Sequence, residues 1–325
     1  MAKAYFGCPG NGGQHHIYYE KNLIATRENQ PLLAKINEVA GHDLVGMMLD
    51  KEGRLGITKE PDIQLSIVGS GIILGRAMQK KVVCEGTVGL SLGEITAGAL
   101  AGCFDYETAF RIAKHRGEIM EACVPDLNAC SADQGMPNAW MYAVNNVPLR
   151  FVERRCGHVN RRSEAYGYVC VSGKNTPLQV VISGLPSAVA KAVHGINRKY
   201  PQGKILPLRT SGPWHNKHYM AKAKEEMISF LDSIPFKSPS VLFYMMASRR
   251  FEKDPAKIKY NYGDAMVRTT ETWESLCDIR KEGFAVFSST GPGKVLEPFF
   301  NSVGIKYIGR SEILEEKVAE TVLSK

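Results

Sequence analysis

The 325-residue chain lacks the marks of several protein classes. No apolar run approaches the roughly 18 residues that cross a bilayer, and the first residues lack the apolar stretch of a signal peptide. Glycine (31) and proline (16) are too few for a disordered or collagen-like chain. We therefore expect a folded, cytoplasmic protein that does not associate with a membrane.

Metal and redox motifs are also missing. None of the eight cysteines forms a CxxC pair, and the eight histidines show no HExxH spacing. The sequence therefore argues against a zinc ribbon or a thioredoxin-type site. We expect reduced, mostly buried thiols and no metal.

A strong nucleic-acid signature is absent as well, although the chain is basic. It has 41 Lys and Arg against 33 Asp and Glu, a net charge of +8. The cations are scattered, with short clusters such as Arg154-Arg155 and Arg161-Arg162, and no recognition-helix or RNP pattern is present. We expect no nucleic-acid partner. A basic surface would suit an acidic protein or a phosphorylated small molecule.

Predicted strands and helices alternate through the first third of the chain, which indicates an α/β fold with a largely parallel sheet. Asp105 is placed to cap one of these helices. The predicted strands are 3–8 and 82–90, and the predicted helices are 29–39, 62–80, 92–102 and 105–122.

A different pattern follows, with the order βαββαβ of a ferredoxin-like unit. The predicted strands are 140–144, 166–172, 178–183 and 204–208, and the predicted helices are 148–157 and 187–198. We therefore predict a ferredoxin-like subdomain at 133–206, inserted into a large α/β domain made of 1–132 and 207–325.

The strongest local motif is Gly89-Leu90-Ser91-Leu92-Gly93, between a predicted strand and a predicted helix. Glycines permit a sharp turn that presents the serine hydroxyl at the helix N-terminus, as in a nucleophile elbow. The amide of Leu92 could then stabilise an oxyanion. GxSxG alone is a weak signal, and an ordinary turn is the alternative interpretation.

A serine nucleophile needs a base, and several histidines follow it. His215 lies in Ser211-Gly212-Pro213-Trp214-His215, a loop at the predicted domain junction, where catalytic residues are common. His158 and His194 fall on the two subdomain helices, and His218 falls on the next helix. For these three we expect solvent-exposed positions, so His215 is the candidate base.

Six blocks, in order, resemble the malonyl-CoA:acyl carrier protein transacylases and span almost the whole chain. The first three are similar to the family's PGQGSQ, GHSLGE and RGELM, and the last three to its NSPxQxVISG, SGAFH and GPGKVL. In this sequence they are Pro9–Gln14, Gly89–Glu94, Arg116–Met120, Asn175–Gly184, Ser211–His215 and Gly291–Leu296.

The resemblance implies an α/β-hydrolase-like large domain with the ferredoxin-like insert, and it implies roles for individual residues. Ser91 would be the acylated nucleophile and His215 its base. The backbone amides of Asn11 and Leu92 would form the oxyanion hole. Arg116 would pair with the malonyl carboxylate through its planar guanidinium.

The resemblance also implies that a backbone carbonyl orients the histidine, and we expect it within residues 269–273. Substrate-pocket residues would be Gln64, Leu90, Asn175 and Trp214. Leu90 replaces the family's histidine, and Asn11 replaces a glutamine whose backbone amide survives the change. Trp214 replaces the phenylalanine of malonyl-selective members, and its bulk would disfavour a branched acyl unit.

The activity thus implied is transfer of a malonyl group, or a substituted malonyl group, from CoA to a carrier protein through a serine ester. CoA thioester is the substrate, no bound cofactor is implied, and an acidic acyl carrier protein is the expected partner. Two alternatives stay open. One is an acyl hydrolase that clears carriers, which has no need of Arg116. The other is a non-catalytic docking module, which has no need of Ser91 and His215.

Overall fold

The computed structural model describes residues 3–125, 139–284 and 286–314. Its strands are β1 Lys3–Cys8, β2 Val83–Gly89, β3 Met141–Asn145, β4 Val169–Thr176, β5 Gln179–Gly184, β6 Lys204–Pro207, β7 Leu242–Met245, β8 Arg250–Phe251, β9 Val286–Ser289 and β10 Lys306–Ile308. Its α-helices are α1 Lys21–Ile24, α2 Gln30–Ala40, α3 Leu44–Leu49, α4 Glu60–Gln79, α5 Gly93–Leu100, α6 Tyr106–Ala122, α7 Leu149–Asn160, α8 Ser163–Tyr166, α9 Pro186–Lys199, α10 Lys217–Asp232, α11 Pro255–Asp264, α12 Thr272–Lys281, α13 Glu297–Ser302 and α14 Arg310–Leu314.

Six strands form the larger sheet, in the order β10-β9-β1-β2-β7-β8. All neighbouring pairs are parallel except β7 and β8 at one edge. Cys8, the last residue of β1, pairs with Gly89, the last residue of β2. The loops that follow these strands therefore meet at the carboxyl edge of the sheet, where open α/β sheets bind ligands. The predicted α/β class is confirmed.

Four strands form the smaller sheet, in the order β4-β5-β3-β6, and every pair is antiparallel. Helices α7 and α9 pack on one face of it around a separate apolar core. Tyr142 and Ile182 belong to that core, whereas Met141 and Val181 belong to the main core on the opposite face. One face of the smaller sheet therefore packs against α7 and α9, and the other face packs against the main core.

Two details of the smaller sheet correct or limit the sequence predictions. The strand predicted at 166–172 begins only at Val169, because Ser163–Tyr166 form the short helix α8 and Gly167 ends it with φ +75°. The boundary predicted between 132 and 133 lies outside the described residues, as does Cys130. The seven cysteines that are described are free thiols.

Helices α4 and α6 pack side by side next to the elbow helix α5. Asp105 caps α6 as predicted, with its Oδ1 accepting a hydrogen bond from the Thr108 amide at 2.7 Å. A Cβ at Gly117 would lie 2.5 Å from Cα of Pro61, so only glycine allows this approach of α6 to the start of α4. Among the described helices, none is long and apolar enough to cross a membrane.

Candidate active site

Ser91 occupies a strained turn between β2 and α5. Its backbone φ is +53°, in the left-handed region that residues other than glycine rarely adopt. A Cβ at Gly93 would collide with the carbonyl oxygen of Cys8, so glycine there lets α5 start directly over β1. The turn has the strand, sharp bend and helix expected of a nucleophile elbow.

His215 contacts the Ser91 hydroxyl directly, with 2.8 Å between Nε2 and Oγ. Its Nδ1 faces two backbone carbonyl oxygens, Ala265 at 2.8 Å and Arg268 at 3.1 Å. Because carbonyls only accept, the proton is assigned to Nδ1, which leaves the Nε2 lone pair facing the serine hydroxyl. The expected position of the orienting carbonyl, 269–273, was wrong, since both carbonyls precede that segment.

The same segment fixes the histidine relative to the smaller sheet. The Thr270 amide donates to the Ser172 carbonyl at 2.9 Å, and the Lys174 amide donates to the Thr270 carbonyl at 2.8 Å. The chain after α11 therefore joins the edge strand β4 immediately after it has supplied the two carbonyls. This pairing couples the orientation of His215 to the position of the smaller sheet.

The environment of His215 favours the neutral imidazole. Burial lowers its pKa to about 4, and the positive charge of Arg116 contributes in the same direction. The hydrogen bonds to Ala265 and Arg268 act in the opposite sense and are outweighed. The imidazole is therefore an unprotonated acceptor at neutral pH.

Arg116 reaches the serine from α6, and only 5% of its surface is exposed. Its Nη2 donates to Ser91 Oγ at 3.3 Å, and its Nη1 donates to Gln64 Oε1 at 2.8 Å. Burial lowers its pKa to about 10, so the guanidinium stays charged at neutral pH. Gln64 is fully buried behind Arg116 and is not among the residues that line the cleft, so it orients the arginine rather than forming the pocket wall we expected.

Glu60, at the start of α4, is a buried carboxylate that the sequence analysis missed. Its Oε1 accepts from Asn11 Nδ2 at 2.6 Å and from Gln64 Nε2 at 2.9 Å. Its Oε2 accepts from Ser211 Oγ at 2.6 Å. One carboxylate therefore connects the glycine loop, the support of Arg116 and the loop that leads to His215.

The amides proposed for an oxyanion hole lie on the two loops at the carboxyl edge of the sheet. The Leu90 amide donates to the Cys8 carbonyl at 2.9 Å, which holds these loops together. Within the ranges that the structure describes, neither the Asn11 amide nor the Leu92 amide donates to a backbone or side-chain acceptor. Both N–H groups are thus available as donors, and the Leu92 side chain itself is buried in the core.

A cleft of about 160 Å³ lies between the serine turn and the smaller sheet. Leu90, Trp214 and Asn175 line it, together with Asn11, Ser91, Arg116 and His215. Sites for drug-sized ligands are typically about 300–1,000 Å³. A cleft of this size therefore has room for a short group rather than a drug-sized ligand.

Glu94, three residues after the serine, lies in the first turn of α5. In the structure the carboxylate is buried, and its Oε1 accepts from the Met246 amide at 2.8 Å. This hydrogen bond connects the start of α5 to the residue after β7. Burial raises the pKa of Glu94 to about 7.

The other histidines considered as bases lie elsewhere. His158, His194 and His218 are exposed, and His218 stacks on Tyr168 with 3.8 Å between ring centroids. Among the described residues, no three His, Cys, Asp or Glu side chains are grouped so that they could hold a metal ion.

At the carboxyl edge of the parallel sheet, one serine hydroxyl contacts both an uncharged imidazole and a buried guanidinium, an arrangement suited to acyl transfer. No protein-family model matches the chain. Individual curated proteins, however, are similar to it in sequence. The chain is 26% identical over 272 residues to the polyketide biosynthesis malonyl CoA-acyl carrier protein transacylase PksC of Bacillus subtilis, which covers 83% of this chain and 87% of the relative.

A second relative is the malonyl CoA-acyl carrier protein transacylase of Bacillus subtilis, 26% identical over 93% of this chain and 91% of that protein. Solved structures share the fold. The acyl-carrier-protein S-malonyltransferase of Burkholderia pseudomallei 1710b has a TM-score of 0.83 at 24% identity, with 98% and 99% of the two chains covered. A malonyl-transacylase solved with its type II polyketide synthase acyl-carrier protein has a TM-score of 0.83 at 23% identity, with 97% and 100% covered. The resemblance predicted from the six blocks is confirmed.

Proposed function

We propose that this protein transfers a malonyl group from CoA to the phosphopantetheine thiol of an acyl carrier protein, through an ester on Ser91. The observation that carries the proposal is the contact of Arg116 with the nucleophile, 3.3 Å from Nη2 to Oγ. A malonyl ester has its free carboxylate two carbons beyond the ester carbonyl. A guanidinium beside the serine oxygen is within reach of that carboxylate.

In the first half-reaction, Ser91 Oγ attacks the thioester carbonyl while its proton moves to His215 Nε2. The negative charge on the carbonyl oxygen is stabilised by the amides of Asn11 and Leu92. The C–S bond then breaks, and the CoA sulfur takes the proton from Nε2. In the second half-reaction the carrier thiol gives its proton to Nε2 and attacks the serine ester, and Ser91 recovers the proton as the ester breaks.

The carbonyls of Ala265 and Arg268 take the part that a carboxylate takes in many hydrolases. They accept from Nδ1 while the ring is positively charged, so they stabilise the imidazolium without adding a fixed negative charge. A fixed charge there would have partly neutralised Arg116. The arrangement therefore keeps the arginine available for the substrate carboxylate.

We further propose that residues 1–132 and 207–325 form an α/β-hydrolase-like domain and that 133–206 form a ferredoxin-like subdomain inserted in it. The element order β3-α7-β4-β5-α9-β6 and the wholly antiparallel sheet support this division, with α8 as an additional short turn. Arg116 belongs to the first of these units and the cleft residue Asn175 to the second. The substrate would therefore lie between them.

Replacing Arg116 by alanine is expected to separate malonyl transfer from transfer of neutral acyl groups. Loss of a charge-assisted hydrogen bond worth about 1.5–3 kcal/mol lowers kcat/KM for malonyl-CoA roughly 10- to 150-fold. Acetyl-CoA has no carboxylate and should lose little. Arg116→Lys should recover only part of the malonyl rate, because an ammonium lacks the bidentate fork. The measurement is kcat/KM for both substrates with each variant.

Arg111 supplies the matched control, because it is exposed on the same helix. Arg111→Ala should leave both rates unchanged. Equal losses for malonyl-CoA and acetyl-CoA in Arg116→Ala would make the arginine structural. Free acid and carrier-bound product are counted separately in the wild type with carrier present, and free malonate as the main product would favour the hydrolase instead.

Substrate binding should also change the pH dependence of acylation. Burial, and to a lesser extent the positive charge of Arg116, lower the pKa of His215 to about 4. A malonyl carboxylate paired with Arg116 would offset the charge of the arginine and so raise the pKa of His215. At saturating malonyl-CoA, the acid limb of the acylation rate should therefore lie at higher pH than the limb with acetyl-CoA, which is expected near pH 4. Stopped-flow acylation at saturating substrate measures both limbs. A malonyl limb at or below the acetyl limb would contradict this coupling.

A further inference from the structure

The net charge of the protein is concentrated in one part of the chain. Residues 139–206 contain ten Lys and Arg but only two acidic residues, Glu153 and Glu164. Their net charge of +8 equals that of the whole chain, so the remainder is neutral. Because the surplus of positive charge is confined to residues 139–206, it creates a local positive potential rather than a generally basic surface.

Half of these ten cations line one groove, of about 590 Å³, between helices α7 and α9. They are Arg154, Arg155, Arg161, Arg198 and Lys199. No Asp or Glu lines the groove, and in the part of the chain that the structure describes none of the five forms an ion pair with a carboxylate. His158 on its rim responds to this field: partial desolvation and then the charges of Arg155, Arg161 and Arg162 lower its pKa.

Helix dipoles explain only part of the cluster. Arg198 and Lys199 lie in the last turn of α9, where cations are favourable. Arg154 and Arg155 lie in the middle of α7, where the dipole has little effect. The Arg155 side chain is held in place by a hydrogen bond of 3.0 Å to the Lys191 carbonyl, while its buried Nε has no acceptor among the described residues.

The groove and the active-site cleft lie on opposite faces of the smaller sheet. Met141 and Val181 line the cleft, whereas their neighbours Tyr142 and Ile182 pack in the core beneath α7 and α9. A molecule in the groove is therefore not the one in contact with Ser91. The groove is a separate surface, and its occupant goes beyond the proposed transfer reaction.

We infer that the groove between α7 and α9 docks an acidic segment of a partner protein. Four of the five cations are arginines, whose planar forks suit carboxylates. A single-stranded nucleic acid would need exposed rings for stacking. Among the residues that line the groove, the one Phe, Tyr or Trp ring is Phe151, which packs edge-on against Tyr200 and lies under Arg154, so it offers no open face for stacking. The other two rings are the imidazoles of His158 and His194. A docked segment would raise the local concentration of its protein near the cleft.

The test measures binding of a fluorescein-labelled helical peptide of Ala and Glu to the full-length protein by fluorescence anisotropy. The variant Arg154→Gln/Arg161→Gln/Arg198→Gln/Lys199→Gln should weaken binding at least about tenfold at low salt, because four exposed charge pairs are lost. The control Lys51→Gln/Lys222→Gln/Lys257→Gln/Lys281→Gln removes the same charge from exposed sites on the larger body and should change binding less than about twofold.

Equal weakening by the two variants, or none by the first, would overturn the inference. A labelled DNA duplex is the second probe, and tighter binding of DNA that is lost with the groove variant would assign the groove to nucleic acid instead. If the groove variant is less folded by circular dichroism, Arg154→Gln/Arg198→Gln replaces it. The assay contains no acyl-CoA, so its outcome is independent of the proposed transferase activity, and serine acylation measured on both variants tests that activity separately.

Discussion

Incubation with malonyl-CoA should add the mass of one malonyl group to the wild-type protein and nothing to Ser91→Ala. The serine oxygen is 2.8 Å from an unprotonated imidazole and is held toward the cleft by a backbone with φ +53°. The ester bond needs that oxygen, and in the part of the chain that the structure describes no other hydroxyl is hydrogen-bonded to a histidine ring. Burial raises the pKa values of Cys8 and Cys170 to about 12, so these thiols are not thiolates at neutral pH. Intact-protein mass spectrometry after a short incubation makes the measurement.

Ser172→Ala is the matched control. Ser172 lines the same cleft, but its hydroxyl donates to the Val181 carbonyl at 3.3 Å instead of contacting a base. This variant should be labelled like the wild type. Labelling of Ser91→Ala at the wild-type rate, or loss of labelling in Ser172→Ala alone, would show that the elbow is not the nucleophilic site.

Replacing His215 by alanine should slow acylation by about 10² to 10⁴, the usual range for loss of a general base. Two carbonyls fix the ring so that Nε2 faces the hydroxyl, and no second base contacts Ser91 in the described residues. The fold should survive, because the histidine lies in a turn and lines the cleft rather than packing in an apolar core. The comparison is the pre-steady-state burst of CoA release in the two proteins, together with their melting temperatures.

His218→Ala provides the control for this prediction. His218 is exposed three residues further on and stacks on Tyr168, away from the serine. Its loss should change the burst rate by less than a few-fold. An unchanged burst in His215→Ala, or an equal loss in His218→Ala, would move the base away from residue 215.

Local sequence was sufficient to predict the elbow and the helix that carries Arg116. The Gly89–Gly93 pattern lies between a strand and a helix whose signals each come from neighbouring residues. The capping of α6 depends on Asp105 and the amide three residues later. Interactions of this short range are visible in any stretch of sequence.

The groups that hold the catalytic side chains were not predictable in the same way. The carbonyls that orient His215 lie about 50 residues further along the chain, and every residue has a carbonyl. Glu60 looks in sequence like any acidic residue in the first turn of a helix. Only the tertiary fold reveals that its two oxygens accept from Asn11, Gln64 and Ser211.

Competition between local preferences explains the misplaced start of β4. Tyr166 and Tyr168 have high strand propensity, and the prediction began the strand at the first of them. The turn at Gly167, with φ +75°, ends a short helix that no strong local signal marks. The strand therefore begins at Val169, where pairing with Gly184 starts.

The backbone of the two reacting residues has an evolutionary consequence. Both Ser91 (φ +53°) and His215 (φ +57°) have left-handed conformations, which cost side chains other than glycine about 1–2 kcal/mol each. A lineage released from selection for catalysis would be relieved of this backbone cost by mutating Ser91 to glycine, whereas His215→Gly would also leave the carbonyls of Ala265 and Arg268 without their donor. At position 91 the backbone therefore favours loss of the nucleophile over its recovery. Descendants that kept only the binding surfaces would be expected to have glycine at position 91.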